Sequence, residues 1–417
     1  MNELSLIPVI MAGAFALGFA EKKLVTKNIN KIPLRILVNG IRGKSTVTRL
    51  ITGILKEAGY PVVGKTTGSA ARMIYWDEDE EEIIYRRPEG PNISEQKSVV
   101  RKTAKRGAQA LVSECMAVHP DYQKALQEEL VQANVVVIVN VLEDHMDVMG
   151  PTLDQIAEGF TNTIPYNGKL IIAENEYVNY YKRIARRRRT KVYVANDKLI
   201  SEPFLKKFKY MVFPHNASLA LAVSDALGID RQTAVRGMLN ANPDPGAAEV
   251  WKLPSFGKNI YFINGFAVND AASTLAMLER INALGYQTEN ATVVMNCRPD
   301  RVDRSQQFAN DVLPFMDVRK IIAMGQITQP IFDAHQQGLY TAPEFVNMEN
   351  SSIDSIMKEL RNQPSNSVIF SVGNIHGDGE PLLEALEEVS EHADLYRSLS
   401  SNRTSVSNFN SRNLQED

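Results

Sequence analysis

The chain has 417 residues, which at about 150 residues per domain suggests two or three domains. Hydrophobic residues make up 44% of the chain and charged residues 23%, ordinary globular values that exclude wholesale disorder, collagen and coiled coil. The net charge of −3 gives no overall attraction to nucleic acid, so none is expected as a partner. The two cysteines, Cys115 and Cys297, each lie in an apolar run, which excludes a disulfide framework and indicates a reducing compartment.

The first predicted element is an N-terminal membrane helix. Leu4 to Ala20 is uncharged and is followed by lysines at positions 22, 23, 27 and 31. This run is near the lower limit of about 17 residues for a spanning helix, so a signal peptide, an interfacial anchor and a buried helix are alternatives. Because the charges follow the apolar run, a signal peptide is disfavoured, and the positive-inside rule places the rest of the chain in the cytoplasm. Residues 1–31 are therefore predicted to be a membrane anchor and juxtamembrane segment that holds cytoplasmic catalytic domains at the cell membrane.

A phosphate-binding loop is predicted next. The β-prone run Leu34 to Val38 leads into Asn39-Gly40-Ile41-Arg42-Gly43-Lys44-Ser45-Thr46, and an apolar-periodic helix then ends at Gly59. Backbone N–H groups of such a loop bind phosphate oxygens, while Lys44 supplies a cation and the Ser45 hydroxyl can hold Mg²⁺. Val38 stands where the full motif has its first glycine, so a tight turn with a serine cap is the alternative. The strand before the loop and the helix after it favour a nucleotide site.

Two further strand ends carry groups suited to a metal. Ala110 to Ser113 leads to Glu114, and Val135 to Val139 leads into a segment that contains His145. Because the carboxyl ends of parallel strands meet at one sheet edge, we expect Glu114 and His145 to lie near the phosphate loop. A carboxylate, an imidazole and a hydroxyl there suit a divalent metal that bridges phosphates and a substrate carboxylate. Taken singly, Glu114 as a helix-cap partner and His145 as an ordinary loop histidine are the alternatives.

The second half of the chain predicts another α/β domain. The turn cluster at residues 240–246 suits an interdomain hinge, which gives an ATP-binding domain at 32–239 and a second domain at 240–397. Strands are expected at 259–263, 291–296, 320–324 and 367–372, and the polar tail 398–417 is predicted to be disordered. Arginines between Arg298 and Arg304 follow a strand and are candidate contacts for phosphate or carboxylate groups. The basic run Arg186 to Arg189 suits either an anionic polymer or a phospholipid surface, or is a solvated helix end.

The order of the motifs N-G-x-R-G-K-S, S-E, N-x-x-x-D-H-M-D and H-N resembles the Mur ligase superfamily, which includes the peptidoglycan amino-acid-adding ligases and folylpolyglutamate synthetase. Longer runs, up to about residue 390, are similar to the ATP-dependent ligase subunits of poly-γ-glutamate synthases. These runs are 39–49, 64–68, 72–76, 141–150 and 373–377. The resemblance implies an α/β fold with a P-loop, Mur-ligase-like central domain built on a parallel sheet, and a Rossmann-like C-terminal domain.

The resemblance also implies site residues, with ATP and Mg²⁺ as cofactors. Gly40, Gly43 and Lys44 correspond to the phosphate cradle, Ser45 and Glu114 to ligands of the ATP-bound Mg²⁺, and His145 to a ligand of a second Mg²⁺. Asn216 corresponds to an asparagine near adenine and Asn269 to a C-terminal-domain residue, whereas the family's carbamylated lysine has no clear counterpart around Ala173 to Glu176. The predicted catalytic residues are Lys44, Glu114 and His145, and the predicted cofactor-binding residues are Asn39, Gly40, Arg42, Gly43, Lys44, Ser45, Thr46, Asn216, Arg298 and Arg301.

The function implied is ATP-dependent γ-glutamyl ligation through an acyl phosphate, with release of ADP and phosphate. The implied partners are glutamate, poly-γ-glutamate, the membrane and other synthase subunits, and a homo-oligomer is possible. Only residues 1–38 precede the loop, fewer than a domain of about 100 residues needs, so a UDP-linked substrate is not expected. The alternatives are a P-loop ATPase or kinase, a folylpolyglutamate-synthetase-like ligase acting on another carboxylate, and a non-catalytic membrane scaffold.

Overall fold

A computed structural model describes residues 3–67, 71–86, 92–208, 210–244, 248–257, 259–266, 268, 271–286, 288 and 290–392. The side chains of residues 3–10, Ala14 and His392 are not described. The first compact unit comprises Met1–Ser201 and Val212–Asp244, and the second comprises Glu202–Met211 and Pro245–Asp417. Residues 202–211, assigned by the sequence to the first domain, thus belong to the second unit. The predicted disordered tail and Asn269 lie outside the described residues.

Strands and α-helices alternate along much of the described chain. The strands are β1 (Leu34–Asn39), β2 (Val62–Lys65), β3 (Arg72–Tyr75), β4 (Glu82–Ile83), β5 (Ala110–Glu114), β6 (Val135–Ile138), β7 (Lys169–Ala173), β8 (Lys191–Ala195), β9 (Val250–Lys252), β10 (Tyr261–Ile263), β11 (Thr292–Cys297), β12 (Lys320–Gly325), β13 (Glu344–Glu349), β14 (Val368–Gly373) and β15 (Glu391–His392). The helices are α1 (Glu3–Ile29), α2 (Lys44–Glu57), α3 (Glu95–Lys105), α4 (Pro120–Ala125), α5 (Met146–Met149), α6 (Leu153–Thr161), α7 (Val178–Arg187), α8 (Glu202–Leu205), α9 (Pro214–Leu227), α10 (Arg231–Leu239), α11 (Ala271–Ala283), α12 (Val302–Asp311), α13 (Gln329–Gln336), α14 (Ile353–Arg361) and α15 (Gly379–Glu388).

The first unit is built, within the residues described, on an eight-stranded sheet of order β4-β3-β2-β5-β1-β6-β7-β8. The six strands from β2 to β8 in this order run parallel, whereas β3 and β4 pair antiparallel at one edge. The central strands β5 and β6 are buried along their length, as parallel strands covered on both faces by helices must be. The carboxyl ends of β1, β5 and β6 therefore meet side by side at one edge of the sheet.

Helix α1 joins the core of the first unit at its last turn. Ile29 is fully buried in a cluster with residues of β2, β3 and α3, whereas Phe15, Leu17 and Phe19 are 73%, 74% and 72% exposed. The prediction of a membrane helix rests in part on residues 4–10, whose side chains lie outside the described part of the structure. Among the described residues, no helix combines the length and the apolar character needed to cross a membrane.

The second unit has, among its described residues, a seven-stranded sheet of order β13-β12-β11-β14-β10-β9-β15. The strands from β13 to β10 are parallel, and β9 and β15 pair antiparallel at the other edge. The four strands expected from the sequence are β10, β11, β12 and β14. Strand β13 was not predicted, because this edge strand is partly exposed and lacks an apolar run. Both units confirm the prediction of an α/β fold with parallel sheets.

Candidate active site

The loop between β1 and α2 turns through two glycines with positive φ. Gly40 has φ 131° and Gly43 has φ 82°, and residues other than glycine rarely adopt these backbone angles. Gly43 caps the N-terminus of α2, whose first backbone N–H groups have no partner within the helix. Such N–H groups and the positive end of a helix dipole attract anions, and phosphate binding at this loop stays a prediction.

The sheet brings the two predicted ligands of the first metal together. Ser45 Oγ donates a hydrogen bond to Glu114 Oε2 at 2.8 Å, and the Thr67 N–H donates to the same oxygen at 2.7 Å. The contact arises because Glu114 ends β5, where it is paired with Val38 of β1 just before the loop. Lys44 Nζ donates to the carbonyl oxygen of Ile41 at 2.9 Å, so the ammonium lies over the loop.

Magnesium suits this donor set. Mg²⁺ usually takes one or two protein ligands and completes its shell with water and substrate phosphates. The Ser45 hydroxyl and the Glu114 carboxylate fit that description, since they converge beside the helix N-terminus. No cluster of three or more His, Cys, Asp or Glu side chains that could hold a metal occurs in the described residues. Metal binding by Ser45 and Glu114 stays a prediction.

His145 lies at the same sheet edge, in the segment after β6. It caps α5 with a left-handed backbone of φ 50°, and its side chain is 53% exposed with Nε2 3.8 Å from Asp144 Oδ1. His145 lines a cavity of about 230 Å³ together with Lys44, Thr67 and Arg86. The structure thus places His145 beside the phosphate loop, and its role as a ligand of a second Mg²⁺ stays a prediction.

Three other predicted cofactor-binding residues lie in or beside the loop. Asn39 is buried, and its Nδ2 donates to Gln123 Oε1 at 2.8 Å, while its Oδ1 accepts the following backbone N–H at 2.8 Å. Arg42 pairs with Asp144 Oδ2 at 3.0 Å. Thr46 lies in the first turn of α2. In these positions Asn39 and Arg42 hold the loop against its neighbours, and contact with a nucleotide stays a prediction for all three.

Sequence reasoning missed Asn140 as a site residue. Its Oδ1 accepts the N–H groups of both Ile41 and Arg42 at 3.0 Å, and its Nδ2 donates to the Arg42 carbonyl oxygen at 3.0 Å. A signal was present, because Asn140 follows an apolar strand that neighbours β1 and opens the motif N-x-x-x-D-H-M-D, which contains His145. Thr67, which contacts Glu114 from the end of β2, was missed for want of any comparable pattern.

Asn216 packs against the loop from helix α9. The residue is 7% exposed, and a Cβ added to Gly43 would lie 2.6 Å from Asn216 Oδ1. Its neighbour His215 contacts the Val139 carbonyl oxygen through Nε2 at 2.6 Å, which ties α9 to the end of β6. A hydrogen bond with His215 lowers the pKa of Asp197. Asn216 therefore sits at the loop, and its predicted contact with adenine is untested.

Two basic side chains, Lys65 and Arg86, share the carboxylate of Glu95. The Lys65 side chain is fully buried, with Nζ 3.1 Å from Glu95 Oε1, and burial lowers the pKa of Lys65. Arg86, which lines the cavity, donates from Nε to the other Glu95 oxygen at 3.1 Å. The negative charges of Glu95 and Glu114 raise the pKa of Lys65 and partly offset the effect of burial.

A second buried cation braces the helix that follows the loop. Arg49 of α2 is 1% exposed and pairs with Glu81 at 2.5 Å and with Asp244 at 3.0 Å. Burial raises the pKa of Asp244. Because Arg49 lies one helical turn beyond Ser45, this triad fixes α2 within the first unit.

The predicted arginines of the second unit lie at the carboxyl edge of its sheet. Arg298 follows β11 and pairs with Asp300 at 2.8 Å, and Arg301 is an exposed residue that caps α12. Arg304 of α12 donates to Asn374 Oδ1 at 2.7 Å, which joins this helix to the end of β14. Their contact with phosphate or carboxylate groups stays a prediction.

Comparisons with known proteins agree on one family. Residues 38–240 match the Mur ligase middle domain, and residues 250–389 match the poly-gamma-glutamate synthase CapB C-terminal domain. PGA synthase CapB from Bacillus subtilis (strain 168) is 56% identical over 383 residues, which cover 92% of this chain and 98% of that protein. Capsule biosynthesis protein CapB from Bacillus anthracis is 56% identical over 371 residues, which cover 89% of this chain and 80% of that protein.

Solved structures show the same fold at low sequence identity. E. coli FolC in complex with DHPP and ADP has a TM-score of 0.63 at 14% identity and covers 88% of this chain and 92% of its own. MurF from Acinetobacter baumannii has a TM-score of 0.62 at 17% identity, with coverage of 90% and 80%. At these identities the likeness concerns the fold alone.

Proposed function

The chain belongs to the Mur ligase family and, within it, to the CapB poly-γ-glutamate synthases, and from this we infer that it adds glutamate to a growing poly-γ-glutamate chain. It is an ATP-dependent acid–amino-acid ligase. The observation that carries this conclusion is the 56% identity that spans 92% of the chain. Since residues of the phosphate loop, Glu114 and His145 lie at one sheet edge, the chain also keeps the groups that such a reaction needs.

The proposed reaction has two steps, phosphoryl transfer and amide formation. The γ-phosphoryl group of ATP passes to a carboxylate oxygen at the chain end, which gives an acyl phosphate and ADP. The amine of the incoming glutamate then attacks the acyl carbon, the carbon–oxygen bond to phosphate breaks, and an amide, a proton and inorganic phosphate result. Water must be kept from the acyl phosphate, because it would attack the same carbon as the amine and hydrolyse the intermediate.

The predicted site residues of the first unit each have a proposed part in this reaction. The N-terminus of α2 and the Lys44 ammonium would hold the β- and γ-phosphates, where their positive charge offsets the charge that shifts during transfer. Ser45 and Glu114 would hold one Mg²⁺ and His145 would contribute to a second. Mg²⁺ supplies charge neutralisation between phosphate and carboxylate oxygens when it is bound. Lys44, Arg86 and His145 line one cavity, and this supports it as the place where the anionic chain end is received.

The alternatives fit the comparisons less well. A P-loop ATPase or kinase does not account for residues 250–389, which match a C-terminal domain of poly-gamma-glutamate synthases. A non-catalytic scaffold does not require the Ser45–Glu114 pair beside a helix N-terminus.

Attachment to the cell membrane and association with other synthase subunits are part of the same proposal, with glutamate and poly-γ-glutamate as substrates. The exposure of Phe15, Leu17 and Phe19 supports attachment, because large apolar side chains on one exposed helix favour burial against another apolar surface. In this arrangement the catalytic units face the cytoplasm, and self-association of the chain is possible.

Trapping of the acyl phosphate tests the mechanism. Membranes that carry the full chain are supplied with ATP, Mg²⁺, poly-γ-glutamate and hydroxylamine, without free glutamate, beside membranes with the Lys44→Ala variant. The expected products are ADP and a chain-terminal hydroxamate, both absent from the variant. AMP and pyrophosphate would contradict phosphoryl transfer, and ADP without hydroxamate would favour the ATPase alternative.

A further inference from the structure

Asn140 uses its whole amide to hold the phosphate loop. One oxygen accepts two consecutive backbone N–H groups, from Ile41 and Arg42, and the amide nitrogen donates to the Arg42 carbonyl oxygen. All three bonds have the same length of 3.0 Å. The amide side chain suits this arrangement, because its oxygen has two lone pairs for the two N–H groups and its nitrogen is a donor.

The backbone around Asn140 is fastened to the loop as well. The Val139 N–H donates to the Asn39 carbonyl oxygen at 2.8 Å, and a Cβ on Gly40 would lie 3.0 Å from the Asn140 nitrogen. On the other side of the loop, Asp144 pairs with the Arg42 guanidinium at 3.0 Å. The segment 140–144 therefore grips residue 42 through both its backbone and its side chain.

This arrangement has two consequences for phosphate binding. The N–H groups of Ile41 and Arg42 already have a partner, so the groups left for an anion are those at the N-terminus of α2 and the Lys44 ammonium. The segment that grips the loop also carries His145, only one residue after Asp144. The loop and His145 therefore keep a constant separation.

We propose that Asn140 is a positioning residue for phosphoryl transfer, which withholds two loop N–H groups from the phosphates and fixes the loop relative to His145. This inference rests on the proposed function for its effect on turnover, although its effect on ATP binding does not. Asn140 acts through the loop and through His145, and no contact with substrate is assigned to it.

The test compares Asn140→Asp with Asn134→Asp. Asn134 is a matched control, because its side chain also joins β1 to β6, accepting from the Arg35 N–H at 3.0 Å and donating to the Pro33 carbonyl oxygen at 2.7 Å. It does so at the opposite edge of the sheet. Both variants lose a donor to a carbonyl oxygen and gain a charge, but only Asn140→Asp does so at the phosphate loop.

We expect Asn140→Asp to reduce kcat/KM for ATP about 100-fold at pH 7.5 and to weaken binding of ATP with Mg²⁺ measured by calorimetry. Asn134→Asp should stay within about threefold of wild type, even if it lowers the melting temperature.

Equal losses of ATP binding and turnover in the two variants, or wild-type values for Asn140→Asp, would each overturn the proposal. The calorimetric readout separates this outcome from failure of the proposed function. If wild type binds ATP but forms no hydroxamate, the proposed function fails, and the ATP affinities of the two variants still decide the role of Asn140.

Discussion

Replacing Gly43 with alanine should damage nucleotide binding far more than it damages stability. Gly43 has φ 82°, and an alanine in that left-handed region costs about 1–2 kcal/mol. For a protein unit of this size, that lowers the melting temperature by roughly 2–8 °C. The strain alone is therefore tolerable, and the folded variant can be assayed.

The larger effect comes from the contact with Asn216. The new Cβ would lie 2.6 Å from Asn216 Oδ1, whereas ordinary contact begins at 3.4 Å. The loop or the Asn216 side chain must therefore move by about 0.8 Å, and Asn216 is only 7% exposed. A misplacement of about 1 Å in a site that positions a phosphoryl group can cost about 100-fold in rate. We expect kcat/KM for ATP to fall by about that factor.

Gly59→Ala is the matched control. Gly59 follows the other end of the same helix, has φ 81°, and nothing lies within 4 Å of its missing Cβ. Both variants should remain folded in thermal unfolding, with a loss of melting temperature for Gly43→Ala at least as large as for Gly59→Ala, whereas only Gly43→Ala should lose ATP turnover and ATP binding. Wild-type kinetics for Gly43→Ala, together with the expected loss of stability, would refute the assignment of this loop as the phosphate site.

Other variants test the remaining groups. Lys44→Ala should keep its melting temperature within a few degrees, because Nζ makes one hydrogen bond to the loop, and should lose turnover by about 10²- to 10³-fold or more; near-normal ATP use would remove the lysine from the site. Glu114→Ala and His145→Ala should each lose amide formation. The double variant should lose little more activity than the worse single variant, since groups that act as a unit are not additive, and additive losses would argue against a pair of metal ions that act together. Removing residues 1–19 should move the protein from the membrane to the soluble fraction and leave its melting temperature unchanged. Removing residues 1–28 also deletes core contacts and ion pairs of α1 and should lower the melting temperature. A protein without residues 1–19 that stays on membranes would point to another attachment surface.

The parts of the site that follow from local pattern and sheet geometry were predictable. The run from β1 through the glycines into α2 has a strand period, a turn composition and a helix period in direct succession. The pairing of Ser45 with Glu114 followed from one rule, that parallel strands end at a common edge. The end of β5 was placed one residue early, and this small error did not affect the conclusion.

The parts that depend on side-chain direction or long-range packing were not predictable. The role of Asn140 depends on the register that sets Ile138 opposite Asn39, and no local pattern states that register. Residues 202–211 join the second unit because Leu205 and Phe208 are buried and the Met211 N–H bonds to the Ala248 carbonyl oxygen, across a long stretch of sequence. Periodicity alone cannot choose between two cores for so short a segment.

Helix α1 connects residues 11–20 to the core of the first unit as one continuous helix. The helix continues without a break for 27 residues, about 40 Å. Its last turn contributes buried Ile29 to the core, and two surface ion pairs, Lys22–Glu129 and Glu21–Lys97, contact the unit about two turns earlier. A flexible linker would let the first unit rotate freely about its point of attachment, whereas a continuous helix restricts that rotation. For any surface that holds residues 11–20, the length of this helix therefore sets how far the first unit, with its phosphate loop, can lie from that surface.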